Sequence, residues 1–192
     1  KSKYPLILIG AGANRKEARR AISDFVRGSG IPFFNTQMGK GVVDESSELF
    51  LGTAALSDKD YLHDYIKKSD LIINIGHDVV EKPPFFMEHG GKNVIHVNYK
   101  SATVDQVYFP QIEVVGDIAL SVDALAGLLN GNLMLDLKEF EKVRDFVKNN
   151  IFTFDEAEKF PIKPSQAVAQ IRSIMGYHDI IALDNGVYKI WF

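Results

Sequence analysis

Tyr4-Pro5-Leu6-Ile7-Leu8-Ile9-Gly10-Ala11-Gly12-Ala13-Asn14 decides how this chain folds. Residues 4–9 form an unbroken apolar run. A strand with one wet face alternates apolar and polar side chains, whereas a strand covered on both faces does not. The run therefore reads as a central parallel strand, and Gly10 and Gly12 end it in a tight turn. The periodicity then becomes helical. Ala18, Ala21, Ile22, Phe25 and Val26 recur at i, i+3, i+4, i+7 and i+8, one face of a helix expected over 15–27. Burying Ile22, Phe25 and Val26 contributes at most roughly 5–8 kcal/mol. Gly28 and Gly30 are expected to stop this helix.

Working outward, residues 31–34 read as a second short strand and 35–41 as a loop. Residues 58–68 read as a helix with Asp58 as N-cap and Tyr61, Leu62, Tyr65 and Ile66 on one face. Residues 71–75 (LIINI) form another buried strand; 93–98 and 112–115 are shorter ones. Asp117 caps a helix to about residue 129. Residues 136–150 form an amphipathic, charge-rich helix that reads as a linker between domains. Strands alternating with helices define an α/β fold with a doubly wound, mostly parallel sheet. The expected division is a central α/β domain over 1–150, then a linker and the start of a second α/β unit over 151–192. In that second part a helix, a buried strand and a glycine turn follow one another. A lone unit of this kind cannot bury its own apolar face, so it reads as the truncated edge of a further domain.

Composition excludes several classes. Of 192 residues, 46% are hydrophobic and 24% charged, as in ordinary globular proteins. The net charge is −3 and there is no basic block. A nucleic-acid partner is therefore not expected. The chain has no cysteine, so disulfides and thiolate chemistry are excluded and a reducing compartment is compatible. No apolar run approaches the ~20 residues of a membrane helix, so no membrane partner is expected. Lys1-Ser2-Lys3-Tyr4-Pro5 has neither a starting Met nor the apolar stretch of a signal peptide, and reads as a linker or boundary.

Few motifs carry chemistry outright. Gly10-Ala11-Gly12 lies where dinucleotide folds hold phosphate, but the third glycine of that fingerprint is Arg15 here. The turn could hold an anion through free N–H groups, or its glycines could serve only the turn. Gly39-Lys40-Gly41 fails as a phosphate loop, because Phe34 stands where the first glycine belongs and no Ser or Thr follows Lys40. A tight turn with positive φ at one or both glycines is expected instead. His63, His77, His89, His96 and His178 lack the spacing of a helical zinc pair, and His96 reads as a satisfied core residue. His77-Asp78 with Glu81, after the end of a strand, could do acid–base chemistry or be a solvated loop; Glu88 and His89 have the same two readings. Without Gly-x-Ser-x-Gly, a serine hydrolase is not expected. Asp184-Asn185-Gly186-Val187-Tyr188 follows a buried strand and opens a helix, where N–H groups can approach a phosphate.

Together, 4–14 (YPLILIGAGAN), 31–42 (IPFFNTQMGKGV), 69–76 (SDLIINIG) and 114–117 (VVGD) resemble the central domain of thiamine-diphosphate-dependent enzymes. Residues 161–192 resemble the start of the domain that binds the cofactor diphosphate. The likeness is greatest to acetolactate synthase large subunits. Residues 76–81 (GHDVVE) are similar to the G-Y-D-x-x-E stretch of the catabolic, FAD-independent type, and 184–191 (DNGVYKIW) to its D-M-G-S-F-H-I-W.

The resemblance implies a six-stranded, Rossmann-like parallel domain, thiamine diphosphate and Mg2+ as cofactors, and pyruvate as substrate. It implies a cytoplasmic homodimer or homotetramer. By motif match Asn185, Gly186, Val187 and Tyr188 would lie near the diphosphate; Val187 and Tyr188 replace a Ser-Phe pair. The family's catalytic glutamate would precede Lys1 and its metal motif would follow Phe192, so this chain supplies no catalytic or metal residue. Some relatives hold FAD or ADP in the central domain. FAD is disfavoured here, since His77-Asp78 replaces an Arg-Phe pair and Asn98 an Asp. A decarboxylase or oxidase acting on 2-oxo acids, an oxalyl-CoA decarboxylase, or a non-catalytic module binding FAD, ADP or NAD remain alternatives. The 192-residue chain by itself is expected to form no acetolactate from pyruvate, a prediction that a product assay on the purified chain checks.

Overall fold

The computed structural model describes residues 2–54, 61–77, 81, 86–104, 106–129, 133–151, 160–184, 186, 188 and 191–192. Six strands are present among them: β1 (Pro5–Ile9), β2 (Phe33–Asn35), β3 (Phe50–Thr53), β4 (Leu71–Ile75), β5 (Asn93–Asn98) and β6 (Ile112–Val115). They form one sheet in the order β3-β2-β1-β4-β5-β6, and each neighbouring pair is parallel. The chain steps outward from β1 to β3, then returns to the other side of β1 to lay down β4. The connections therefore diverge between β1 and β4, the place where such sheets open a crevice at the carboxyl ends of their strands.

Two-sided burial explains the apolar run. All five residues of β1 are buried. Ile7 and Ile9 enter the core formed with Ile22, Phe25 and Val26 of α1 (Lys16–Ser29) and Ile118 and Val122 of α3 (Ile118–Leu128). Leu6 and Leu8 enter the opposite core, with Phe34, Ile72, Val94 and Tyr108, with Tyr65 and Ile66 of α2 (His63–Ile66), and with Phe140 of α4 (Lys138–Ile151). The apolar face read from the sequence of α1 is the face it buries.

The limits of that helix differ from the expectation. Gly28 lies inside α1, and only Gly30 ends it, in the left-handed region at φ 68°. An interior glycine costs a helix about 1 kcal/mol and does not stop it; the left-handed cap is what demands one. Asp117 does cap α3, accepting from the Leu120 N–H at 3.0 Å. The described part of the helix expected over 58–68 is α2, and Asp58 lies outside the described residues.

Two corrections concern the ends of the sheet and of the chain. The strand β3 was not legible, because its four residues hold Gly52 and do not alternate. It is fixed from outside by α4, expected as a linker but packed on this domain. Phe140 stacks edge-on to Tyr65 at 5.3 Å, and Val147 lies against Gly52. Arg144 donates to the Glu48 carbonyl at 2.9 Å and pairs with its carboxylate at 2.7 Å. Beyond α5 (Pro164–Ile174), the buried strand expected before Asp184 is not formed. Residues 179–184 join no strand among the described residues, and Ile180 is 94% exposed. An apolar run becomes a strand only where a sheet edge offers partners for its N–H and C=O groups.

His96 is the satisfied core residue that was expected. Its Nε2 faces the Lys100 carbonyl at 2.9 Å and its Nδ1 the Tyr108 hydroxyl at 2.7 Å. Asn74 also donates to that hydroxyl, at 2.5 Å. A carbonyl can only accept, so Nε2 donates to Lys100.

At the opposite end of the sheet, Asp70 anchors the approach to β1. Its carboxylate accepts from the Lys3 N–H at 2.8 Å and the Tyr4 N–H at 3.0 Å, and from the Ser2 hydroxyl at 2.5 Å. Burial pushes this carboxyl up, but the three donors outweigh it and hold it below the usual carboxylate range. A lowered folded-state value stabilises the fold above the unfolded value, about 3.9, and the gain is lost as pH falls through the folded value. The stability difference between the wild type and Asp70→Asn should be full at pH 7 and shrink below about pH 4, which urea unfolding at both pH values measures.

Candidate functional site

The turn after β1 is built by backbone pressed on backbone. A Cβ on Gly10 would lie 2.4 Å from the His77 Cα, and one on Gly12 would lie 2.9 Å from the Gly76 carbonyl oxygen. Gly76 itself sits at φ 70°, and a Cβ there would meet the Ala13 nitrogen at 2.3 Å. On the other side, a Cβ on Gly39 would meet the Ile9 carbonyl oxygen at 2.2 Å. The loops after β1, β2 and β4 therefore converge so closely that no side chain fits between them. Gly12 N–H donates to the Gly76 carbonyl at 2.7 Å, and Gly10 N–H to the Ile75 carbonyl at 2.9 Å. Of the two readings of these glycines, packing of the turn is the one this geometry supports.

Glu81 sits over the turn. Both its carboxylate oxygens accept from the Ala11 N–H, at 3.0 and 3.1 Å. The Thr36 hydroxyl donates to Oε2 at 2.5 Å and accepts from the Gly39 N–H at 3.1 Å. The His77 Nδ1 lies 3.9 Å from Oε1, with the two side chains only 4% and 11% exposed. Sequence reasoning paired Glu81 with His77, and the structure does bring them together, but the closer partners of the carboxylate are Ala11 and Thr36. Thr36 had drawn no attention, since nothing in one sequence marks a hydroxyl that meets a carboxylate 45 residues away. Asp78 lies outside the described residues. Asn98 ties the end of β5 to the same place, donating to the His77 carbonyl at 3.3 Å.

Gly39-Lys40-Gly41 is structural, as expected: Gly41 has φ 73°. Lys40 pairs with Glu45 at 2.7 Å and donates to the Thr53 hydroxyl at 3.1 Å. Asn35 and the Gly41 N–H donate to the same Glu45, each at 2.9 Å. This ion pair closes the carboxyl end of β2 and β3. His89 lies edge-on to Phe109 at 4.5 Å, away from the turn. Among the described residues no group of His, Asp and Glu is arranged to hold a metal ion, and no helix is long and apolar enough to cross a membrane.

Of the loop proposed to meet a diphosphate, Asn185 and Val187 lie outside the described residues. The Tyr188 ring lies over Gly186, where a Cβ would meet Cε1 at 2.2 Å.

A doubly wound parallel sheet whose glycine turn meets a second glycine loop at the switch point defines a domain of the nucleotide-binding fold class. Its sequence matches the family described as thiamine pyrophosphate enzyme, central domain, over residues 1–125. The chain belongs to that family. It is 24% identical to an acetolactate synthase of Bacillus subtilis (strain 168) over 200 residues, covering 99% of this chain and 34% of that protein. It is 25% identical to a catabolic acetolactate synthase of Raoultella terrigena over 197 residues, 99% of this chain and 35% of the relative. Against the acetolactate synthase large subunit of Porphyra purpurea it is 33% identical over 133 residues, 68% of this chain and 22% of the relative. The chain thus spans about a third or less of the length of the relatives it matches.

The convergence at Gly76 gives a direct test. Alanine there adds left-handed strain of about 1–3 kcal/mol and an overlap with backbone that overpacking puts at a further 1–3 kcal/mol. Gly76→Ala should therefore lose at least about 2 kcal/mol in urea unfolding, whereas Gly28→Ala, inside α1 with open space around it, should be neutral or stabilising.

Proposed function

We propose that this chain is the central part of a thiamine-diphosphate enzyme that condenses two molecules of pyruvate into 2-acetolactate with loss of carbon dioxide. The observation that carries the reading is the match of acetolactate synthases, one of them catabolic, along 99% of the chain. In this reading the cofactor supplies the chemistry that stabilises the carbanion, and Mg2+ holds its diphosphate. The domain described here positions the flanking parts and takes no chemical step. In the same reading Asn185, Gly186, Val187 and Tyr188 border the diphosphate. The whole enzyme is a homodimer or homotetramer of the cytoplasm.

The experiment supplies the full-length protein with pyruvate, thiamine diphosphate and Mg2+ and separates the products. The expected product is acetolactate, seen as acetoin after acid decarboxylation. Acetaldehyde as the main product would replace this reading with a 2-oxo acid decarboxylase. With inorganic phosphate, FAD and oxygen added, acetyl phosphate with hydrogen peroxide as the main products would replace it with an oxidase.

A further inference from the structure

We propose that the outer face of α3 is a twofold interface that takes a second copy of this chain. α1 and α3 lie on the same side of the sheet, since both enter the core of Ile7 and Ile9. Their outer faces differ. α1 turns Lys16, Glu17, Arg19, Arg20, Asp24 and Arg27 to solvent, as a helix with one wet face should. α3 reads IALSVDALAGL, and Ser121 and Asp123 are its only polar side chains. Ile118 and Val122 fill the core, yet Leu120 and Leu128 remain 71% and 77% exposed. Ala124, between them, is exposed too. Ile112 shares a face of β6 with Val114, so it lies on the α3 side of the sheet, and it is exposed as well. A helix that is apolar on both its buried and its open face marks a contact surface.

The spacing says what covers it. Leu120, Ala124 and Leu128 follow one another at intervals of four, the ridge by which helices most often pack together. The stripe reads the same in both directions about Ala124. Laid against itself across a twofold axis through Ala124, it sets Leu120 beside the partner's Leu128 and Leu128 beside the partner's Leu120. One patch then serves both copies, as a twofold contact requires. The small Ala124 at the crossing lets the two helix axes approach to about 8–10 Å. The stripe carries no charge, and Asp123 stands about 100° round the helix from Ala124, off the contact line. A single helix face is smaller than the roughly 800 Å² per partner of a standard interface. The pair is therefore of modest strength, with a dissociation constant of about 100 μM. It names a surface for the homo-oligomer of the proposed enzyme, but needs neither its cofactor nor its reaction.

Sedimentation equilibrium of the 192-residue chain tests this. The wild type should pass from one chain to two with a dissociation constant of about 100 μM or tighter. Ala124→Glu and Ala124→Lys each place like charges face to face on the axis, and each alone should associate at least about tenfold more weakly. Mixed in equal amounts the two should pair as well as the wild type, because position 124 meets its own counterpart. Ala126→Glu, roughly 160° round the helix from Ala124, should leave association unchanged. Glu and Lys are good helix formers at an exposed position, so the circular dichroism of these variants should match the wild type. If one of them does not fold, Leu128→Ala, which removes one end of the stripe, should weaken the pair in its place. A wild type that stays single at about 500 μM would overturn the proposal and assign the face to another segment or another protein. Charged variants that pair like the wild type, or a mixture that pairs no better than its parts, would also overturn it. Acetolactate formation does not enter these measurements, so they stand or fall apart from the proposed reaction.

Discussion

The burial of β1 on both faces supports everything else in this molecule. Leu6 and Leu8 turn to one core, Ile7 and Ile9 to the other, and each core closes only because helices cover both sides of the sheet. A strand covered in this way has no wet face, so its neighbours on either side must pair along it in register. Ile9 stands beside Asn35 on one side and Ile75 on the other. The carboxyl ends of β1, β2 and β4 therefore finish level, and their loops are forced into the same small volume. Glycine follows from that crowding: the backbone approaches at Gly10, Gly12, Gly39 and Gly76 leave no room for a Cβ.

The same crowding decides what the switch point can do. In a nucleotide site the glycines leave room for a ligand's phosphates; here they leave room for the chain itself. The polar groups that remain, Ala11 N–H, Thr36 and Glu81, satisfy one another across three loops. An arrangement of this kind strengthens the junction and withholds its donors from solvent. It suits a domain whose task is to hold its neighbours in place, which is the part assigned to it in the proposed enzyme.

Legibility varied with how local the cause was. Residues 4–9 and the periodic apolar positions of α1 announced themselves because burial writes directly onto side-chain type. Asp117 did so because a cap is a contact between near neighbours in sequence. Gly28 misled because glycine has more than one use, and only Gly30 stands at a positive φ. The strand β3 and the role of α4 were hidden, since Gly52 interrupts the strand pattern and its neighbour Val147 lies far along the chain. The run around Ile180 looked like a strand and is not one, because strand-forming residues still need an edge to join.

By itself the sequence determined the α/β class, the parallel sheet, the two-sided core and the family, since each depends on patterns repeated along the chain. Its motifs also carried the likeness to acetolactate synthases such as those of Bacillus subtilis and Raoultella terrigena. Only the tertiary structure decided what the glycine turn holds. The distance from Ala11 to Glu81 spans 70 residues of chain, and which donor meets which acceptor across that span is fixed by strand order and register rather than by any pattern within one segment.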